Sequence, residues 1–281
     1  MTRVSRPPYD SDVIARIFDE YGDEEWARHE TSPFARVAFH VHRWYLERFI
    51  TPGMHVLEIG AGAGRFTVEI ARLGARVTVA DISPGQLDLN ANHVRESGFE
   101  QQVEARLIAD VIDLSRFDDA TFDAVVCYGG PLSWVLDDAD RAVAEVLRVA
   151  KSGGHVLLGV MSRYGSLRAF LSAAADEIDR YGIDEMQDII ESGFLPPPHS
   201  TLGPMHLYTW SELVALLSRR GCEIVAASAA NFLSIGNDET CERWLADPAM
   251  WERLLEWEVR ACAEQGALDG GTHIIAVIRA G

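Results

Sequence analysis

The feature that most constrains the fold is a short apolar run that leads directly into three alternating glycines. Residues 56–59 are followed by Gly60, Gly62 and Gly64, and a helix is predicted to begin at or just after Arg65. Glycine allows the sharp turn between a strand and a helix, and it lets a ligand approach the backbone. Free amide groups at the start of a helix favour an electronegative ligand group. The run therefore predicts a nucleotide-like site at the carboxyl end of the first strand of an α/β sheet.

The spacing of the glycines separates two kinds of nucleotide site. The dinucleotide fingerprint has glycine at its sixth position, where the helix packs closely on the strand, and here Arg65 occupies that position. Glycines at the first, third and fifth positions, with Glu58 two residues upstream, resemble the first motif of the class I S-adenosylmethionine (SAM) dependent methyltransferases. An NAD(P) oxidoreductase is the less favoured alternative.

Further segments follow in the order of that family. The second strand is predicted to end at Asp81 and the third at Asp110. The fourth strand leads to Gly130-Pro131-Leu132, a sequence that is similar to the bacterial small-molecule branch of the family. The segments that carry the resemblance are residues 56–67, 77–82, 107–111, 122–132 and 145–154.

The resemblance implies SAM as the cofactor. The glycine loop would surround the methionine part, Asp81 would accept both ribose hydroxyls, and Asp110 would accept from the adenine amino group. A second interpretation of Asp110, as a solvated loop acid, stays open. Glu58 lies inside an apolar strand, where an unpaired carboxylate is costly, and a functional partner is predicted for it. The implied cofactor-binding residues are Glu58, Gly60, Ala61, Gly62, Gly64, Asp81, Ile82, Gln86, Asp110, Val111 and Cys127.

The predicted fold is α/β, with a Rossmann-like, doubly wound, seven-stranded sheet, a reversed last strand and helical cap insertions. Members of the family end with such a reversed strand. The predicted parts are an N-terminal helical segment of the acceptor pocket (1–53), a SAM-binding core (54–161), a cap or lid insertion (162–205) and the C-terminal part of the core (206–281), which contains a helical insertion (231–265).

Charge and composition narrow the partners. The chain has 281 residues and a net charge of −18, and its 43 acidic residues outnumber 25 basic ones. Polynucleotide binding usually rests on a basic stripe, so a nucleic-acid acceptor is disfavoured and a small molecule is expected. We find no apolar stretch of the ~20 residues that a membrane span needs and no signal-peptide core at residues 1–8. The four cysteines are scattered, which indicates a cytoplasmic setting.

The segments outside the core should shape the acceptor pocket. They are rich in aromatic and aliphatic residues, which predicts an apolar pocket with few polar anchors. Four residues are predicted to line it: Tyr21, Tyr128, Trp134 and Arg163. For the aromatic residues among them, packing of the cap on the core is the structural alternative.

A general base is needed only if the acceptor arrives protonated. His206 is the first candidate, with a structural hydrogen bond as the alternative, and Tyr208 is its weaker partner. His40 is a third candidate, although His40 and His42 point to different faces of one helix, so at most one can face the pocket. His273 is predicted to be a core or edge residue.

No metal is expected, because no acid pair stands at catechol-methyltransferase positions. The sequence leaves open whether oxygen, nitrogen or carbon is methylated, and which oligomer forms. A SAM-fold protein without methyl transfer, such as a cyclase, decarboxylase or regulatory binder, is the alternative function.

Overall fold

A computed structural model describes residues 6–281 of the chain. Its centre is a seven-stranded sheet with the strand order β3-β2-β1-β4-β5-β9-β8. The strands of this sheet are β1 (His55–Ile59), β2 (Arg76–Asp81), β3 (Val103–Ile108), β4 (Phe122–Cys127), β5 (Ala150–Met161), β8 (Glu223–Ala229) and β9 (His273–Arg279). Two short strands, β6 (Phe194–Leu195) and β7 (Met205–His206), form a separate antiparallel pair.

The sheet has one reversed strand. Strands β3, β2, β1, β4 and β5 pair in parallel, whereas β9 runs antiparallel to both β5 and β8. The strand order changes direction at β1, so the carboxyl ends of β1 and β4 lie at the switch point where open α/β sheets bind ligands. The predicted Rossmann-like sheet with a reversed last strand is confirmed.

Helices cover both faces of the sheet and extend beyond it. Before β1 lie α1 (Ser11–Tyr21), α2 (Glu24–Ala27) and α3 (Pro33–Phe49), and within the core lie α4 (Arg65–Arg72), α5 (Pro84–Glu96), α6 (Pro131–Trp134) and α7 (Ala139–Val149). After β5 lie α8 (Arg163–Ala169), α9 (Leu171–Tyr181), α10 (Ile183–Ser192), α11 (Trp210–Ser218), α12 (Asp238–Leu245) and α13 (Pro248–Cys262). The predicted cap segment, residues 162–205, therefore contains three helices, α8, α9 and α10.

The first helix is fixed to the core next to the end of β2. The Asp19 carboxylate accepts hydrogen bonds from the Ser83 hydroxyl (2.5 Å) and the Gly85 amide (2.8 Å) at the start of α5. The Gln86 amide group donates to the carbonyls of Phe18 and Gly22 at the end of α1. These contacts hold α1 over the carboxyl edge of the sheet, where the predicted site lies.

A second attachment uses Arg65, the residue that distinguishes the glycine motif. Its guanidinium group lies over the Trp26 ring, 4.5 Å from the ring centre, and forms a salt bridge with Glu30. The first residue of α4 thereby tethers the segment between α1 and α3. Within residues 6–281, no helix combines the length and apolar character that crossing a bilayer demands.

Candidate functional site

The glycine loop adopts backbone conformations that other residues rarely adopt. Gly60, Gly62 and Gly64 have φ values of 72°, 51° and 100°. A Cβ atom on Gly60 would lie 2.3 Å from Cγ of Pro131, and one on Gly62 would lie 3.1 Å from Cγ of Glu25. The loop is therefore packed directly beneath the segment after β4 and beneath α2.

Asp81 ends β2 and holds the glycine loop. One carboxylate oxygen accepts the Gly62 amide and the other accepts the Ser83 amide, both at 2.8 Å. Burial raises the pKa of this carboxyl to about 6, although both amide hydrogen bonds oppose the rise. The group is ionised at neutral pH and has lone pairs to offer a ligand in addition to its two amide partners.

Asp110 follows β3 on the same edge of the sheet. Its carboxylate accepts the Ile112 amide at 3.1 Å, and it lies beside the hydroxyl of Tyr9. Burial is the main cause that raises the pKa of Asp110 above its usual value. Tyr9, which the sequence did not single out, therefore covers the position that the resemblance assigns to the adenine.

One cavity of about 390 Å³ connects these residues to the N-terminal helices. Predicted cofactor-binding residues form one part of its wall: Gly60, Gly62, Asp81, Ile82, Asp110 and Val111. Apolar residues form another part: Phe34, Ala38, Phe39, Phe66, Met161 and Phe170. Residues predicted to bind the cofactor and apolar residues of the N-terminal helices and the cap thus line one partly open cavity.

A charged pair lies above the glycine loop. Glu25 and Arg28 line the cavity, and Nε of Arg28 donates to the Glu25 carboxylate at 2.8 Å. Nη2 of Arg28 is 3.5 Å from the position of a Cβ on Gly129. One positive and one negative side chain therefore lie between the glycine loop and the loop after β4.

Glu58 does not line this cavity. Its carboxyl group lies 2.5 Å from the Thr67 hydroxyl, which donates to it, and Thr67 in turn accepts from the Asn90 amide at 2.8 Å. Burial raises the pKa of Glu58 to about 8, so the carboxyl is protonated at neutral pH. Its partner in the structure lies in the first turn of α4, and the predicted contact between Glu58 and the cofactor stays a prediction.

This buried carboxyl makes stability depend on pH. A group whose pKa is higher in the folded state stabilises the fold most where it is protonated in both states, and this contribution is lost as pH rises through the folded value. For Glu58 the window runs from about 4.5 to about 8. Urea unfolding measures this effect. Between pH 5 and pH 8.5, we expect the free energy of unfolding of Glu58→Gln to rise relative to that of the wild type by at least about 1.4 kcal/mol, the value of one pKa unit. The exposed Glu20→Gln is the control, and parallel pH profiles would contradict the assignment.

The other predicted cofactor-binding residues lie next to the cavity or behind it. Ala61 and Gly64 line a small adjoining pocket. Cys127 is fully buried in the core below the sheet edge, and burial raises the pKa of its thiol. Gln86 joins α1 to α5, as described above. Their predicted contacts with SAM stay predictions.

The predicted catalytic residues lie away from the cavity wall. Nδ1 of His206 is 2.9 Å from Nη2 of Arg6, and burial, followed by the charge of Arg6, lowers the pKa of His206 to about 4. The Tyr208 hydroxyl donates to the Leu132 carbonyl at 3.3 Å. His40 is half-buried on α3 and is not a wall residue. His206 and Tyr208 therefore have hydrogen-bond partners within the fold, and none of the three side chains lines the cavity.

Of the four residues predicted to line the acceptor pocket, Trp134 does so. Its indole N–H donates to the Leu202 carbonyl at 2.7 Å, so it also ties the cap to α6. Arg163 instead binds both carboxylate oxygens of Glu212. Tyr128 lines the small adjoining pocket, and Tyr21 packs edge-on against Phe18 at a ring distance of 6.4 Å.

Three histidines that the sequence did not favour line the cavity: His29, His42 and His273. His42 is the member of the His40/His42 pair that faces inward, as their opposite directions allow. His273, predicted to be a core or edge residue, lies at the start of β9 opposite Met161, which brings it to the ligand edge of the sheet and into the cavity wall. Among residues 6–281, no three His, Cys, Asp or Glu side chains are placed to share a metal ion.

Comparison with known proteins identifies this arrangement. Residues 56–154, which carry the glycine loop, Asp81 and Asp110, match a family model described as a methyltransferase domain. Residues 56–154 form a methyltransferase domain of the class I SAM-dependent type. SAM is the methyl donor of this family, so the cofactor expected from the sequence is confirmed.

Two relatives illustrate the extent of the similarity. This chain is 38% identical over 106 residues to the demethylmenaquinone methyltransferase of Thermobifida fusca, and the alignment covers 38% of this chain and 43% of the relative. This chain is also 33% identical over 139 residues to a ubiquinone biosynthesis O-methyltransferase of Xanthomonas campestris, and that alignment covers 47% of this chain and 54% of the relative. The chain thus spans about half the length of the curated relatives it matches.

Solved structures share the fold over most of the chain. The 4+2 cyclase SpnF aligns with a TM-score of 0.61, 17% identity and 98% coverage of both chains. A SAM-dependent methyltransferase of Methanosarcina mazei aligns with a TM-score of 0.55, 20% identity, and coverage of 84% of this chain and 96% of that chain. At these identities the likeness concerns the fold alone.

Proposed function

We propose that this methyltransferase transfers the methyl group of SAM to a small, largely apolar acceptor. The observation that carries the proposal is the single cavity that joins the glycine loop and Asp81 to a wall of aromatic side chains. In such a cavity a methyl donor and an apolar acceptor would lie side by side. The residues that would hold each of them lie on different parts of the wall.

The donor side of the cavity suits SAM. Two left-handed glycines bring backbone into the wall without Cβ atoms, and buried Asp81 offers a carboxylate for a ribose diol. The Arg28–Glu25 pair provides one charge of each sign, which matches the carboxylate and ammonium groups of a methionine. We propose that Arg28 holds the carboxylate and Glu25 the ammonium group.

The acceptor side would act mainly by alignment in a dry site. The sulfonium methyl group of bound SAM is already electrophilic, so the residues around it need only to orient the nucleophile and exclude water. Phe34, Phe39, Phe66 and Phe170 contribute flat apolar surface, and a ring-bearing molecule fits such a wall. The names of both relatives concern quinones, which are ring compounds, and this supports the same class of acceptor.

The proposal is tested by binding and by product. We expect calorimetry to give one SAM site per chain and no binding of NAD, and we expect mass spectrometry to detect S-adenosylhomocysteine when SAM is incubated with a panel of aromatic acceptors. Stabilisation by NAD without SAM binding would favour an oxidoreductase. SAM binding with no S-adenosylhomocysteine from any acceptor would favour the alternative of a SAM-fold protein without methyl transfer.

A further inference from the structure

The polar groups of the acceptor side are mostly imidazoles. His29 follows α2, His42 lies on α3, and His273 begins β9, yet all three line the same cavity. The rings of His42 and His273 are 5.5 Å apart and nearly perpendicular, and the ring of His42 is 4.8 Å from that of Tyr128. The apolar wall thus contains a compact cluster of groups that can exchange protons.

A hydrogen-bond chain behind His273 orients its ring. The side-chain oxygen of buried Asn231 accepts the Thr272 amide at 2.8 Å and lies 3.3 Å from the Thr272 hydroxyl. That hydroxyl is also 3.3 Å from Nδ1 of His273. If the Thr272 hydroxyl donates to Asn231, its oxygen accepts Nδ1–H of His273, and Nε2 carries the free lone pair. This arrangement satisfies all three groups, because the Asn231 oxygen cannot donate.

His42 is engaged differently. Its Nδ1 lies 2.7 Å from the Ala38 carbonyl, which can only accept, so Nδ1 carries the proton. Nε2 of His42 is 3.7 Å from the position of a Cβ on Gly159, which places this nitrogen against strand β5. Of these two imidazoles, His273 is therefore better placed to accept a hydrogen bond from a ligand in the cavity.

The position of His273 relates it to the donor side. It pairs with Met161 at the end of β5, and β5 lies beside β4, whose carboxyl end leads to Gly129 and Pro131 in the same cavity wall. The imidazole therefore lies at the carboxyl edge of the sheet, and strands β4 and β5 separate its strand from β1, which leads to the glycine loop. An acceptor between His273 and the donor side would touch both.

The surroundings keep this imidazole neutral. Burial, followed by His42 and Arg28, lowers the pKa of His273 well below its usual value. His42 faces it from α3, Arg28 and His29 lie in the turn after α2, and Tyr128 faces the cluster from the end of β4. A neutral imidazole accepts a hydrogen bond, whereas an imidazolium cannot.

We propose that Nε2 of His273 binds the acceptor's nucleophile and takes its proton, and that this nucleophile is a hydroxyl group on an apolar ring. The inference rests on the proposed function. The methyl–sulfur bond breaks, the methyl–oxygen bond forms, and the O–H proton passes to Nε2; the products are a methyl ether, S-adenosylhomocysteine and an imidazolium that releases its proton to solvent. A weakly basic imidazole suffices, because a hydroxyl oxygen becomes strongly acidic as it gains the methyl group. A cationic amine would instead meet the charge of Arg28.

The test uses the protein saturated with S-adenosylhomocysteine and two matched probes, 2-naphthol and naphthalene. We expect the wild type to bind 2-naphthol about fivefold more tightly, the factor that one neutral hydrogen bond supplies, and His273→Gln to lose this preference. His206→Gln tests the competing histidine, and His155→Gln, a half-buried histidine on β5 outside the cavity wall, is the control. Both should keep the preference, and all variants should bind SAM like the wild type.

A second measurement avoids substitution altogether. In wild-type protein with 15N-labelled histidine, the resonance of one unprotonated ring nitrogen should shift with 2-naphthol and not with naphthalene. Equal affinity of the wild type for both probes, failure of 2-naphthol to bind, or an unchanged preference in His273→Gln would overturn the inference. A wild type that does not bind SAM would instead overturn the proposed function, so the two failures are distinguishable.

Discussion

Asp81→Ala is expected to weaken SAM binding at least tenfold, and more if both ribose hydroxyls bind the carboxylate. Each charge-assisted hydrogen bond of this kind is worth roughly 1.5–3 kcal/mol. The structure adds a second reason, because the same carboxylate accepts the Gly62 amide. Removal of the carboxylate would therefore release the glycine loop as well as abolish the contact with the ligand. Calorimetric titration with SAM measures the change.

Two comparisons separate these causes. Asp81→Asn keeps the shape of the side chain and one acceptor oxygen, so its loss of affinity should be smaller than that of Asp81→Ala. Asp123→Asn is the matched control, since Asp123 accepts the His55 amide at the opposite end of β1. SAM affinity of the wild type should also fall as the pH drops below about 6, where Asp81 becomes protonated. Unchanged affinity in Asp81→Ala would remove this residue from the cofactor site.

Much of the core could be predicted because its signals are local. The strand before the glycines, their spacing and the acids that end β2 and β3 are all short patterns, and each predicts its own turn or strand. Gly60, Gly62, Asp81 and Asp110 consequently reach the cavity together. The reversed strand followed from the resemblance to the family and from the last apolar run.

The acceptor side could not be predicted in the same way, because it depends on contacts between distant segments. His42 and His273 are far apart in sequence, and their rings meet because α3 and the start of β9 come together at one edge of the sheet. Tyr9 meets Asp110 because Asp19 and Gln86 hold α1 there. No local pattern marks such partners.

Glu58 has a partner within the fold that the sequence did not indicate. An unpaired carboxylate in an apolar strand is costly, and the sequence therefore favoured a ligand. The structure supplies the Thr67 hydroxyl, nine residues later, and burial keeps the carboxyl protonated, while the contact with the cofactor stays a prediction. The free-energy cost of burying this carboxyl is thus reduced by the hydrogen bond from Thr67 and by protonation, which removes the charge.

Gly60→Ala is expected to damage both the fold and the cofactor site, whereas Gly62→Ala should damage the site more selectively. Both residues have positive φ values, a conformation that costs other residues roughly 1–2 kcal/mol. At Gly60 the new methyl group would also lie 2.3 Å from the Pro131 ring, which belongs to the rigid start of α6. At Gly62 it would meet the Glu25 side chain at 3.1 Å, and a flexible side chain can move.

The expected measurements differ accordingly. Overpacking adds roughly 1–3 kcal/mol, so Gly60→Ala should lower the melting temperature by roughly 5–15 °C, and Gly62→Ala by less than half as much. Both should weaken SAM binding, Gly62→Ala because displacement of Glu25 disturbs its pairing with Arg28. Gly98, which has a positive φ value and open space around its Cβ position, provides Gly98→Ala as a control for backbone strain alone. Equal losses of stability at Gly60 and Gly98 would show that contact with Pro131 contributes nothing to the constraint on the first glycine.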